Sequence, residues 1–212
     1  KLTEYLGQPI VIDDKPGARG IIGAETAAKS EPDGYTLIMA NAGSHAVNAS
    51  LYAKLPYDPV RDFAPITLVA MAPNILIVHP ALPANSVRDL IALAKSRPGE
   101  LTFGSGGNGS TAHLSGEMFR TMAGINIVHI PFKGSPAAVV GVIAGQIAMA
   151  FPNIPPALPH VRSGKLKALA VTTAKRSAAV PELPTVAESG LPDYAATAWF
   201  GLLAPAGTPG AI

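Results

Sequence analysis

The sequence has no cysteine among its 212 residues. That excludes disulfides, thiolate metal sites and cysteine nucleophiles, and it leaves the redox compartment open. Charge is sparse: 16 Lys and Arg stand against 14 Asp and Glu, for a net +2. Without a basic patch or a run of like charges, the chain lacks the electrostatic footprint of a nucleic-acid or membrane-surface binder. Aromatic residues make up 6%, with one tryptophan, which leaves little surface for stacking on bases. No apolar stretch approaches the roughly 20 residues of a membrane span. There is no heptad or short-period repeat. His45, His79, His113, His129 and His160 show no metal-ligand spacing, and no G-x-S-x-G nucleophile elbow occurs. Neither a metal nor a cofactor is expected.

What remains is a well-packed globular composition, 48% apolar, long enough for one large or two modest domains. Strand-like and helix-like segments alternate. Lys1 to Gly7 reads as the tail of an amphipathic helix, not as a signal peptide, and 206–212 stops where a helix is expected to begin. The chain is therefore expected to be a piece of a longer one. Pro9 to Ile12 reads as a short strand, Ile21 to Lys29 as a helix and Tyr35 to Ala40 as a strand. Asn41 to Ser44 reads as a small-residue loop before a short helix, Ala46 to Ala53. Ile66 to Val78 reads as two strand segments broken near Pro73. Ser86 and Ser110 have the chemistry of helix N-caps. Beyond Ser110, Leu114, Met118 and Met122 mark one apolar helix face. Such alternation predicts a parallel or mostly parallel sheet with helices on both faces, and the continuous apolar strands predict cover on both sides.

The strand–small loop–helix unit occurs twice with similar chemistry. In open α/β sheets ligands bind beyond the carboxyl ends of strands, where a helix start offers unpaired N–H groups and the positive end of its dipole. The segment Gly104-Ser105-Gly106-Gly107-Asn108-Gly109-Ser110 has more glycine than a turn needs, with Thr111 as a further hydroxyl. It matches G-x-G-x-x-G literally. A dinucleotide site also needs an acidic residue ending the next strand, and Phe132-Lys133-Gly134 follows that strand instead. A P-loop fails because Ser110 stands where its lysine belongs. A smaller anion fits better. Asn41, Gly43 and Ser44, with Asn48 one turn on, form the second candidate loop. His113, at the start of its helix, could face a ligand or be structural, and Lys133 and Arg19 are the nearby cations of interest.

Several runs share an order. They are Lys15-Pro16-Gly17-Ala18, Gly23, Pro32-Asp33-Gly34-Tyr35-Thr36-Leu37, Asn48 with Leu51-Tyr52, and Tyr57 with Asp62-Phe63. Gly104-Ser105, Gly109-Ser110, His113-Leu114 and Glu117 follow, then Lys133-Gly134, Gly145-Gln146 and Gly164-Lys165-Leu166. Over essentially the whole chain this set resembles the extracytoplasmic receptors of tripartite tricarboxylate transporters, the Bug or TctC-like family. The resemblance implies a two-lobed periplasmic binding protein of type II, α/β with mixed sheets and helices on both faces. It implies a small carboxylate in the interlobe cleft and delivery to membrane permease subunits. The lobes are expected at 1–74 with 198–212 and at 75–197, with hinges near Ala72-Pro73-Asn74 and Ala196-Thr197. The expected protein is a monomer without turnover and without a nucleic-acid partner.

The loop chemistry and the resemblance together assign ligand contacts to Asn41, Gly43, Ser44, Asn48, Ser105, Gly106, Gly107, Ser110, Thr111, His113, Lys133 and Asn153. A further contact loop is implied ahead of Lys1. Five positions depart from the family pattern: Arg19 replaces a glycine, Ala49 a proline, Phe132 a tyrosine, and Ala148 and Pro152 stand where aspartates are common. Without those carboxylates to meet an ammonium group, the expected ligand is a dicarboxylate or aromatic acid lacking an amino group. Two other readings stay open at this level. One is an oxidoreductase or hydrolase using Gly104 to Gly109, and the other is a sensory receptor feeding a membrane kinase.

Overall fold

The computed structural model describes residues 2–15 and 17–212, so Lys1 and Pro16, both named above, lie outside the described residues. The chain divides into two compact units. The first comprises Lys1–Ala40, Ser44–Thr67 and Leu202–Ile212, and the second Asn41–Gly43 and Leu68–Gly201.

The first unit begins with α1 (Leu2–Leu6), which Gly7 ends at φ +65°. A helical turn at Ala18–Gly20 then runs into α2 (Ile21–Ala28). Its small core gathers Ala24, Ala27, Tyr57 and Phe63. The expected strand at Pro9–Ile12 is absent: these residues form no strand, and Val11 and Ile12 are exposed. A β-capable run becomes a strand only when another strand accepts its hydrogen bonds. The next strand is shorter than expected, β1 (Ile38–Asn41). The residues after it are not a loop. Gly43–Val47 form a π-helical turn that runs into α3 (Asn48–Leu51). Tyr57 donates its hydroxyl to the Ser44 carbonyl at 2.6 Å, so a side chain enters the backbone ladder where the turn widens.

β2 (Phe63–Pro73) and, last in the chain, β8 (Thr197–Pro205) contribute residues to both units, as β1 does through Asn41. With β1 they form a three-stranded sheet in the order β1-β8-β2. The expectation of cover on both faces fails for β2, where Ile66, Leu68, Val69 and Met71 are all exposed. No described helix is long and apolar enough to cross a membrane.

The second unit holds β3 (Ile75–Val78), α4 (Val87–Ser96), β4 (Thr102–Ser105), α5 (Thr111–Ala123), β5 (Val128–Pro131) and α6 (Ser135–Ile143). β6 (Met149–Ala150), α7 (Ile154–Arg162) and β7 (Lys167–Val171) complete it. The sheet order is β5-β4-β6-β3-β7. The sheet is mixed: β4 pairs parallel with β5 and β6, while β3 runs antiparallel to β6 and β7. The side chains of β3 alternate between two cores. Leu76 and Val78 join Leu90, Phe103 and Phe119, whereas Ile75 and Ile77 join Val139, Val142 and Ile154.

Both helix caps read from the sequence are present. Ser86 Oγ accepts the Asp89 N–H at 3.1 Å, and Ser110 Oγ accepts the His113 N–H at 3.2 Å. The inward face of α5 is rotated from the expected one. Ala112, Ser115, Gly116, Phe119 and Ala123 are buried, while Met122 is exposed. The reason is close approach: a Cβ on Gly116 would lie 2.1 Å from the Phe103 ring.

The break between β2 and β3 is Asn74, fully buried. Its Nδ2 donates to Ser115 Oγ at 3.1 Å, and its Oδ1 accepts from Asn153 Nδ2 at 2.8 Å. Its N–H reaches Thr172 Oγ1 at 3.2 Å, and that hydroxyl donates to the Ala196 carbonyl at 2.6 Å. Tyr194 donates to the Ser115 carbonyl at 2.8 Å.

Two substitutions test this packing by thermal or denaturant unfolding. Asn74→Leu removes both amide contacts and strands Asn153, so it is expected to cost at least about 2 kcal/mol. Gly116→Ala forces a methyl into a buried ring and is expected to cost about 1–3 kcal/mol. Stability unchanged in either variant would contradict the packing described.

Candidate functional site

The expected contacts fall into two clusters that belong to different units. In the first unit, Ser44 is buried, with its Oγ 2.9 Å from His45 Nδ1. Asn48 is 1% exposed and donates through Nδ2 to the Arg19 carbonyl at 3.3 Å. Burial pushes the Tyr57 hydroxyl up from its ordinary value, with the Asn48 side chain acting against it. Burial also lowers the His45 imidazole. Two buried atoms here, His45 Nε2 and Asn48 Oδ1, have no protein hydrogen-bond partner. Such atoms are uncommon in a packed interior and usually meet water or a ligand. Arg19 has φ +57° and places its guanidinium 5.5 Å from the centre of the Tyr52 ring.

In the second unit, the glycine-rich segment separates into parts with different physical roles. Gly104 lies within β4, where a Cβ would come 2.3 Å from Ile147 Cδ1, so it serves packing. Gly106 passes against the start of α6, with Ser135 N 3.0 Å from where a Cβ would be. Gly107 and Gly109 take positive φ, +121° and +74°, which side chains resist. Gly43, which clusters with this unit, also adjoins the loop: a Cβ there would lie 3.8 Å from the Gly109 carbonyl and 2.9 Å from Asn41 Oδ1.

Side chains fix this turn from inside. Ser105, fully buried, accepts the Gly107 N–H at 3.1 Å. Its Oγ also lies 3.0 Å from the Gly107 carbonyl and 2.7 Å from His129 Nε2. Gly109 donates its N–H to His113 Nδ1 at 3.1 Å. The rings of His113 and His129 are 4.1 Å apart, with Phe103 beside both. Glu117 lies 3.9 Å from His113 Nε2 and is held by Arg120 at 2.6 Å. At the start of α5 the Ser110 cap takes the His113 N–H, leaving the amides of Thr111 and Ala112 without an acceptor inside the helix. The loop thus joins backbone donors to a dipole's positive end on a rigid base. That arrangement suits an anion. The run Ser105–His129–His113–Glu117 has the partners of a proton relay, but the hydroxyl at its end is buried and already bonded to Gly107.

Ser105, Gly106, Gly107, Ser110, Thr111 and His113 are therefore gathered at one loop. Lys133 is exposed, next to Gly134, whose N–H donates to the Gly106 carbonyl at 3.3 Å. Asn153 lies elsewhere, its amide given to Asn74. His129 was missed by the sequence reading. His129 is 24 residues from Ser105, and only the parallel register of β4 with β5 brings the two together. Among the described residues, no group of three or more His, Asp or Glu could hold a metal ion.

Burial and the neighbouring His113 lower the His129 pKa from 6.5 to about 4. The folded state therefore holds His129 neutral while the unfolded chain takes up a proton. Stability is fully present above about pH 6.5 and is lost as pH falls toward 4. Thermal melts of wild type and His129→Asn between pH 7 and pH 4 are expected to diverge, with the wild type losing more. Parallel curves would contradict this.

Residues 1–212 match the family model described as tripartite tricarboxylate transporter family receptor. Protein BugT of Bordetella pertussis is 42% identical over 208 residues, covering 98% of this chain and 64% of that protein. A UPF0065 protein from the tcbD-tcbE intergenic region of Pseudomonas sp. strain P51 is 34% identical, covering 100% and 63%. The chain thus spans about 64% of the length of such curated relatives. Among solved structures, Rpa4515 of R. palustris, determined with adipate, superposes with a TM-score of 0.91 at 43% identity, covering 99% of this chain and 70% of that one. MatC of Rhodopseudomonas palustris, determined with bound malate, gives 0.86 at 33% identity, covering 98% and 71%. On this match of sequence and fold, the chain belongs to the receptor family of the tripartite tricarboxylate transporters.

Proposed function

We propose that this chain is the ligand-binding part of a periplasmic receptor that captures a small carboxylate and delivers it to the permease subunits of a tripartite transporter. The observation that carries this reading is the Gly106–Thr111 turn. It is held from within by Ser105 and His113 and presents the Thr111 and Ala112 amides at the Ser110-capped start of α5. A carboxylate is the size of anion such a turn accommodates, with hydroxyls beside it at Ser110 and Thr111. The adipate and malate in the two solved relatives support the same ligand class. Binding without turnover is supported by the burial of both hydroxyls that lie next to an imidazole, Ser44 beside His45 and Ser105 beside His129.

The ligand lacks an amino group. Ala148 packs beside the core and Pro152 is buried with its carbonyl taken by the Ile75 N–H at 2.8 Å, so the segment 147–152 offers no carboxylate to an ammonium.

A thermal-shift and calorimetric screen of succinate, malate, adipate, benzoate, aspartate and glutamate tests both statements. A specific binder adds about 2.7 kcal/mol of stability at a hundredfold excess over its dissociation constant. Tighter binding of aspartate or glutamate than of every amino-free acid would reject the specificity, and no shift with any acid would reject the function. Gly107→Ala, which puts a side chain at φ +121°, is expected to weaken the best binder at least about tenfold while the protein stays folded.

A further inference from the structure

The hydrogen bond from Gly109 to His113 Nδ1 determines the state of that ring. A backbone N–H is always a donor, so Nδ1 must be the unprotonated nitrogen. The imidazole is then neutral, with its proton on Nε2, the atom 3.9 Å from Glu117. Protonation would set Nδ1–H against the Gly109 N–H, two donors 3.1 Å apart, and one would have to leave. The glycine is the part able to move once that bond is lost, because it has no side chain of its own to pack and its backbone is the least restricted of any residue.

We propose that His113 is a positioning residue for carboxylate capture: in its neutral form it pins Gly109 and so fixes the glycine turn, and its protonation releases that turn. The inference rests on reading the turn as a carboxylate cradle. Titratable and charged groups facing His113 include Glu117 and Arg120 on α5 and His129 on β5. Glu117 favours the charged ring, but its carboxylate is also engaged by Arg120 through Nε at 2.9 Å. His129 stands 4.1 Å away, and its own lowered pKa keeps it neutral across the range in which an ordinary histidine titrates, so it places no charge beside His113. The pair therefore works as two neutral rings, one holding each end of the turn. His129 secures Gly107 through Ser105, and His113 secures Gly109 directly.

Two variants separate this role from plain packing. In His113→Asn the Oδ1 takes the place of Nδ1 as an acceptor that does not titrate, whereas His113→Phe keeps a ring and loses the acceptor. Calorimetry on the full-length protein would use adipate and malate at pH 7.5 and pH 5.0. At pH 7.5 we expect His113→Asn to bind within about threefold of wild type and His113→Phe about tenfold or more weaker. On going to pH 5.0 the ratio of wild-type to His113→Asn affinity is expected to fall about fivefold or more. Protonation of the acids themselves affects both proteins and cancels in that ratio. An unchanged ratio, or a phenylalanine variant that binds as well as the asparagine variant, would overturn the proposal.

A ligand-free measurement keeps this independent of the functional reading. Nitrogen-15 spectra of wild-type imidazoles at pH 7.5 are expected to report unprotonated Nδ1 at His113. Amide exchange at Gly109 is expected to be faster at pH 5.0 than the exchange chemistry alone predicts. If neither acid binds wild type, the carboxylate reading fails, and these spectra still decide the role of His113. A proton found on Nδ1 rejects that role outright.

Discussion

The side chain of Asn74 is fully buried, and both ends of its amide are spent, Nδ2 on Ser115 and Oδ1 on Asn153. An amide left unsatisfied there would cost about as much as several good contacts return, so its partners must stay in place. Those partners come from the middle of α5 and the start of α7, while Thr172 and Ala196 add the end of β7 and the approach to β8. One polar residue between two apolar strands thereby fixes where four other segments meet. It also sets the height of α5 along the sheet, because Ser115 in turn donates to the Thr111 carbonyl in the first turn of that helix.

The glycine turn inherits that placement. Phe103 lies under α5 at Gly116 and beside both imidazoles, so the helix start, the rings and the end of β4 are positioned by one aromatic side chain. The turn itself contains little that could hold it open. Its order comes from Ser105 and His113, each accepting one glycine amide. A binding loop built from backbone amides needs such outside support, since the amides bring no rotamer preferences of their own. The histidine pair supplies it with two imidazoles, one accepting the Gly109 amide directly and the other holding Ser105.

The second cluster, in the other unit, shows the same economy with less closure. Tyr57 and Arg19 fix Ser44 and Asn48 through backbone carbonyls, leaving His45 Nε2 and Asn48 Oδ1 without protein partners. The widened helical turn at Gly43–Val47 occurs where a tyrosine hydroxyl takes a carbonyl that a regular helix would keep. Turns of this kind are over-represented at binding sites.

Sequence by itself determined what depends on neighbours within a few residues. The caps at Ser86 and Ser110, the ends of α1 and α5 at Gly7 and Gly124, the break beside Pro73 and the need for glycine at Gly107 and Gly109 all follow from local backbone chemistry. The ordered motifs also pointed to the receptor family, which the whole-chain match supports. Tertiary structure alone decided the rest. Pro9–Ile12 has strand composition but no strand to pair with, and β2 carries apolar residues that no described element covers. The buried face of α5 was set by the Phe103 ring, which accepts only glycine opposite it and so turns Met122 outward. Gly104 looked like part of a cradle and proved to be a packing residue under Ile147. His129, 24 residues from Ser105, became its partner through strand register. In each case the deciding contact joins residues far apart in the chain, and local propensity carries no information about which distant surface will arrive.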